Sequence, residues 1–326
     1  MRRFLYALKY RLWRISAPCL TVCLFIHILI EKIHKGDEMS KALEDLVEIL
    51  RPTRLDVDLY RGKGSSGDGA DGTYGGHFLG QGTATALATV DEDRFVHSIH
   101  AYFLRAGRPG ESIDYRVNRL RDGRSFSTRR VSASQGDRVA FEMSASFTTH
   151  TVGETIAEKI PADFDQLPEP ESLPTYLELM TNQDPLPFSA EWALRPHGID
   201  VRVVNAPWSA NGMSAEQGIR MWIRAAGNVA DDPKLHAAML AYQSDESLSD
   251  NLLLPFGLTW GSPEIFFVSL DHAMWFHRPI DMNKWHFVDQ RPLVADRGRG
   301  VACGHVWSKD RKLIASFTQE ALMRFE

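Results

Sequence analysis

Cysteine is scarce. Cys19, Cys23 and Cys303 are the three in 326 residues, too few for a disulfide framework and without the spacing of a structural zinc site. A reducing compartment is therefore expected, taken here as the cytoplasm. There is no cationic excess either: 37 Lys and Arg stand against 42 Asp and Glu, a net charge of −5, which argues against a nucleic-acid binder that must neutralise phosphates. With 44% hydrophobic and 24% charged residues, the chain lacks the composition of a disordered, collagenous or coiled-coil protein. A long hydrophobic run is missing as well. Residues 15–30 are mostly apolar but are broken by Pro18 and His27, and they fall short of the roughly 20 residues that span a bilayer.

The N-terminus differs from the rest. Residues 1–35 carry Arg2, Arg3, Lys9, Arg11, Arg14, Lys32 and Lys35 against Glu31 alone. Met39-Ser40-Lys41-Ala42 begins an ordinary globular sequence, so residues 1–38 read as an extension upstream of it. A targeting or membrane-contacting segment is the alternative.

From Ser40, Leu43, Leu46, Val47 and Leu50 recur at helical spacing and stop at Pro52. Nine of the 24 glycines lie between 62 and 82, but Lys63 is followed by Gly64, so the phosphate-loop pattern fails. Thr83 to Val90 reads as a small-residue helix. Phe95 to Leu104 is a strand, and Ser127–Ser134 pairs with Val139–Phe147 across the turn Gln135-Gly136-Asp137-Arg138. Six prolines between 161 and 187 mark a connector. Beyond it, Asp232-Pro233 opens a helix to about Asp245, and strands follow at 266–277, 300–307 and 312–325. One long helix cradled by an antiparallel sheet is the implied unit, in the α+β class.

The second unit repeats the first. His100-Ala101-Tyr102-Phe103-Leu104-Arg105 echoes His272-Ala273-Met274-Trp275-Phe276-His277-Arg278, and a slide of 174 positions aligns Asp122 with Asp296, Val139 with Leu313 and Ala145 with Gln319. The expected organisation is an N-terminal copy over 39–150, a connector over 151–190 and a C-terminal copy over 191–326.

Three polar side chains fall on apolar faces of the second copy. Gln319 shares a strand face with Leu313, Ala315, Phe317, Ala321, Met323 and Phe325. Ser269 is expected beside Phe267, Ala273 and Trp275, and Asp245 falls near the side of Ala238 and Tyr242. A buried carboxylate is costly without hydrogen-bond partners, so convergence would let the three satisfy one another or hold a water. Each also has a local alternative: a solvated helix end, a local hydroxyl bond, a bridge between strands. In the first copy Ala145 stands for Gln319, and Val96 or His97 for Ser269.

These stretches, with Leu120-Arg121-Asp122-Gly123-Arg124-Ser125-Phe126 and Ser269-Leu270-Asp271-His272-Ala273-Met274-Trp275-Phe276-His277-Arg278-Pro279, resemble the type II acyl-CoA thioesterases, the double hot-dog family. The resemblance covers about residues 40–326. It implies a tandem hot-dog fold, hydrolysis of fatty acyl-CoA to free acid and CoA, and no cofactor or metal. It also implies catalytic roles for Asp245 after Ser244, Ser269 before Asp271-His272, and Gln319 before Glu320. Gly75-Gly76-His77 stands where the family has Gly-Gly-Gln, and Pro255-Phe256-Gly257 where Pro-His-Gly is common. Gly76 and His77 are thus expected at the substrate, although His77 also suits a packing or capping role. Arg116, Arg119, Arg121, Arg124, Arg129 and Arg130 form a basic stretch, and Arg121, Arg124 and Arg129 are candidates for the CoA phosphates. A solvated strand face explains the same run.

Two other functions compete. A hot-dog hydratase or dehydratase would pair Asp271 with His272, but adjacent strand residues point apart. A non-catalytic acyl-CoA scaffold would fit the basic, apolar N-terminus. His272 and His277 face opposite sides of their strand, which argues against a metal pair. Self-association through the sheets is expected.

Overall fold

The computed structural model describes residues 41–65, 72–149, 153–182, 194–205 and 218–326. The basic N-terminal segment lies outside them. Among the described residues no helix is long and apolar enough to cross a membrane.

Helix α1, residues 41–49, buries Leu43 and Leu46. The first copy then runs β1 (Thr53–Asp56), β2 (Leu59–Gly62), α2 (Gly75–Leu87), β3 (Arg94–Phe103), β4 (Ile113–Asp122), β5 (Phe126–Gln135) and β6 (Arg138–Thr149). Short helix α3 (Tyr176–Thr181) lies in the connector. The second copy runs β7 (Ile199–Val203), β8 (Arg220–Ala225), α4 (Pro233–Gln243), β9 (Ile265–Ser269), β10 (Asp271–Phe276), β11 (His286–Asp296), β12 (Arg299–Ser308) and β13 (Leu313–Phe325).

All thirteen strands form one sheet in the order β1-β2-β4-β5-β6-β3-β10-β13-β12-β11-β8-β7, with β9 on β13. The two copies meet where β3 pairs antiparallel with β10, and His100 opposite Ala273 lies at the centre of that seam. The duplication extends to its irregularities. Register shifts fall at Val96/Ser98, Arg119/Arg121 and Ala133/Ser134 in the first copy. In the second they fall at Ser269/Asp271, Pro292/Val294 and Val306/Trp307, each 173 residues on. A β-bulge re-aims the side chains beyond it, and both copies carry theirs at the same positions.

Helix α2 begins at Gly75, eight residues before the expected start. Glycine is a poor helix former, yet here the small residues are required by close packing against α4. A Cβ on Gly76 would lie 2.2 Å from the Tyr242 carbonyl oxygen, and one on Gly80 3.2 Å from that of Ala238. Helix α4 starts as the sequence implies, with the Asp232 side chain accepting from the Lys234 N–H at 2.9 Å. The hairpin turn at Gly136 has the positive φ of 64° that its glycine permits.

The connector is more than a linker. Phe164, Leu167 and Leu173 pack on the buried cluster of Trp222, Trp285, Phe287 and Trp307, and Asp163 pairs with Arg220 at 2.7 Å. Phe325, expected on the inner face, is exposed at the chain's end.

Candidate active site

Asp245 lies two residues past the end of α4, where the two copies touch. The N-cap of α2, Tyr74, makes no side-chain capping bond, and the first turn of α2 holds no acidic residue. The Asp245 carboxylate supplies that missing acceptor, taking a hydrogen bond from the Gly76 backbone N–H. A helix N-terminus favours negative charge. A residue of the second copy is therefore held by the main helix of the first.

Gln319 points inward from the middle of β13 and is 1% exposed. Its Nε2 donates to Asp245 Oδ1 at 2.8 Å and to Ser269 Oγ at 2.5 Å. The three side chains singled out from the sequence therefore converge. Burial pushes the Asp245 carboxyl up from 3.8 to about 6, and the bonds from Gln319 and Gly76 work against that rise. The pKa is thus close to the range at which a carboxylate is an effective base.

Ser269 reaches this cluster by a route the alternation rule misses. Leu270 is the extra residue of the bulge between β9 and β10: Ser269 stands opposite Ala321, while Ala273 stands opposite Thr318. The bulge reverses the alternation, so His272, Met274 and Phe276 continue the buried face and Trp275 turns outward. Ser269 does not share a face with Ala273 and Trp275, as strict alternation implies. His272 joins the site instead, fully buried, with Nδ1 3.2 Å from Gln319 Oε1 and Nε2 3.0 Å from Ser244 Oγ. Burial drops its pKa from 6.5 to about 4, so it is neutral at physiological pH. Asp271 points to the other face and accepts from the Glu320 N–H at 2.8 Å, which separates it from His272 and removes the pairing a hydratase would need.

Residues 194–322 match the sequence profile described as acyl-CoA thioesterase, and residues 64–148 match that of the acyl-CoA thioesterase N-terminal domain. Acyl-CoA thioesterase 2 of Haemophilus influenzae is 32% identical over 291 residues, 88% of this chain and 99% of that protein. The chain belongs to the acyl-CoA thioesterase family. Acyl-coenzyme A thioesterase 8 of Homo sapiens is 32% identical over 304 residues, covering 89% of this chain and 92% of its own. The crystal structure of acyl-CoA thioesterase II TesB2 from Mycobacterium marinum superposes with a TM-score of 0.68 at 33% identity, over 86% of this chain and 98% of that one. A hot-dog protein from Alicyclobacillus acidocaldarius, at 15% identity and a TM-score of 0.69 over 86% of this chain and 98% of its own, shares the fold.

The other expected contacts of an acyl-CoA thioesterase are placed differently. Gly76 lies at the site, but its N–H is directed at Asp245 rather than at open space. His77 is buried with Nε2 2.8 Å from the Lys63 carbonyl oxygen, in keeping with a packing role. Arg129 requires a correction: it is 1% exposed, and its guanidinium bonds to Thr89 Oγ1, the Thr89, Arg121 and Thr128 carbonyls and Asp122 Oδ1. It is a framework residue, because its donors are directed into the protein and away from solvent phosphate. Arg121 and Arg124 are exposed at the β4–β5 hairpin, on the far side of β6 and β3 from β10. Arg119 pairs with Asp58 at 2.9 Å.

Proposed function

We propose that the chain hydrolyses acyl-CoA thioesters to a fatty acid and free CoA, with a water held by Asp245, Ser269 and Gln319. The carrying observation is the meeting of those three side chains at the N-terminal end of α2, with a carboxylate whose pKa is raised to about 6. Asp245 takes a proton as the water oxygen bonds to the thioester carbonyl carbon. Gln319 and Ser269 fix the water's orientation, which converts an encounter into a positioned attack. The C–S bond then breaks, and the departing thiolate takes the proton held on Asp245, which gives CoA and restores the carboxylate. The positive end of α2 favours the negative charge that develops beside it.

The same proposal divides the chain into copies over 39–150 and 191–326, places it in the cytoplasm, and pairs it with further copies through the outer sheet face, where Tyr102 and Trp275 are exposed across the β3–β10 seam. The test is release of free thiol from acyl-CoAs of graded chain length by the wild type and Asp245→Ala. Turnover lost in the variant is expected. Absence of turnover by the folded wild type on every chain length would overturn the proposal.

A further inference from the structure

Four buried side chains are linked in a row of hydrogen bonds that ends in the site: Ser244, His272, Gln319 and Asp245. The separations along the line are 3.0 Å, 3.2 Å and 2.8 Å. The direction of every bond follows from its last member. An ionised carboxylate only accepts, so the Gln319 amide must present its Nε2 to Asp245 and its carbonyl Oε1 to His272. That oxygen also only accepts, so His272 must carry its proton on Nδ1. Its Nε2 is then left with a lone pair, which takes the Ser244 hydroxyl proton, even though the Ala241 carbonyl at 2.9 Å competes for that proton. The opposite polarity would set the Gln319 carbonyl against the Asp245 carboxylate, two acceptors face to face.

We infer that His272, as its Nδ1–H tautomer, is a positioning residue that locks the Gln319 amide in the orientation that serves Asp245 and the attacking water. The inference rests on the proposed hydrolysis for its kinetic consequences only. An amide left free to turn over presents its oxygen where a donor is needed, so the locking matters in proportion to how often the unlocked amide is flipped. The surroundings suit this role. His272 is fully buried and stacks on Phe317 with ring centroids 6.1 Å apart, and its depressed pKa keeps it neutral at physiological pH, where it offers no second proton to the line. The first copy has Ile99 at the corresponding place on β3 and Ala145 for Gln319, so the line exists once per chain.

The test has two arms. Nitrogen NMR of the His272 ring at about pH 8 should show a protonated Nδ1 and a bare Nε2; protonation on Nε2 at that pH would overturn the assignment whether or not the chain is a hydrolase. In kinetics, His272→Phe keeps the ring and its stacking and removes both nitrogens. It should lower kcat about 10- to 100-fold with KM little changed, as misplacement of a reacting group does, and His272→Asn, whose side-chain N–H stands near the place of Nδ1, should recover most of the loss. In a Gln319→Ala background His272→Phe should cost nothing further. Equal loss in both backgrounds, or loss without recovery by Asn, would make His272 a packing residue and overturn the inference. A wild type that hydrolyses no acyl-CoA would instead remove the proposed function, while the tautomer measurement would still decide the line's polarity.

Discussion

The Gln319 amide in the second copy and the Arg129 guanidinium in the first do corresponding jobs on opposite sides of one strand pairing. Gln319 stands opposite Ala302, and Arg129 stands opposite Ala145, so the large side chain has changed strands between the copies. Each reaches the second residue past its helix: Gln319 bonds to Asp245, and Arg129 to Thr89. The first copy's version of the site is thus filled by Arg129, with Val96 and Ile99 where the second copy has Ser269 and His272.

Arg129 is accordingly expected to matter for folding and not for turnover. Arg129→Met leaves the buried Thr89 carbonyl and hydroxyl oxygens without their donor, a loss on the order of 3 kcal/mol. Denaturant unfolding should show that loss, and kcat per folded molecule should match the wild type.

Asp245→Asn should trade activity for stability. It removes the base of the proposed mechanism and should lower kcat by about 10²- to 10⁴-fold. Burial raises the folded-state pKa from 3.8 to about 6, so between those values the folded chain binds more protons than the unfolded one and stability falls as pH rises through the window. The cost is fully present above about pH 6, and on the order of 2–3 kcal/mol is its ceiling. The variant should therefore unfold at higher denaturant than the wild type at about pH 8, with the gain shrinking toward about pH 4.

The pH profile of kcat should rise through about 6 as Asp245 ionises. Gln319→Ala removes a bond that favours the ionised form, so the acid limb should move to higher pH as kcat falls. Ser269→Ala touches Gln319 and not the carboxylate, so it should lower kcat with the limb left in place. A pH series on the three proteins checks both directions.

Much of this is legible in the sequence. Period-two alternation found β5, β6 and β13, the internal slide found the duplication, and a polar residue in the middle of an apolar strand face marked Gln319. Three features were hidden, each for a physical reason. Alternation counts residues and cannot see the bulge at Leu270, which puts His272 on the buried face and turns Trp275 outward. The start of α2 at Gly75 runs against helix propensity, because tertiary contact with Tyr242 decides it. The run of arginines reads as one exposed face, yet Arg129 points inward to Thr89 while its neighbours Thr128 and Arg130 do not.

Gly75 tests how tightly the two copies fit around the carboxylate. A Cβ there would lie 2.6 Å from Asp245 Oδ2 and 2.9 Å from Phe103 Cε1. Gly75→Ala should displace Asp245 and lower kcat about 100-fold, with a far smaller change in the unfolding midpoint. Unchanged kcat would mean that the carboxylate has room to spare.

A single turnover in ¹⁸O-labelled water, with enzyme in excess over an acyl-CoA, tests the attack by an oriented water most directly. If Asp245 acts as a base, the fatty acid from that first turnover carries one ¹⁸O and the peptide containing Asp245 stays unlabelled. Unlabelled acid with ¹⁸O recovered in Asp245 would show instead that the carboxylate attacks the thioester itself, and would contradict the mechanism.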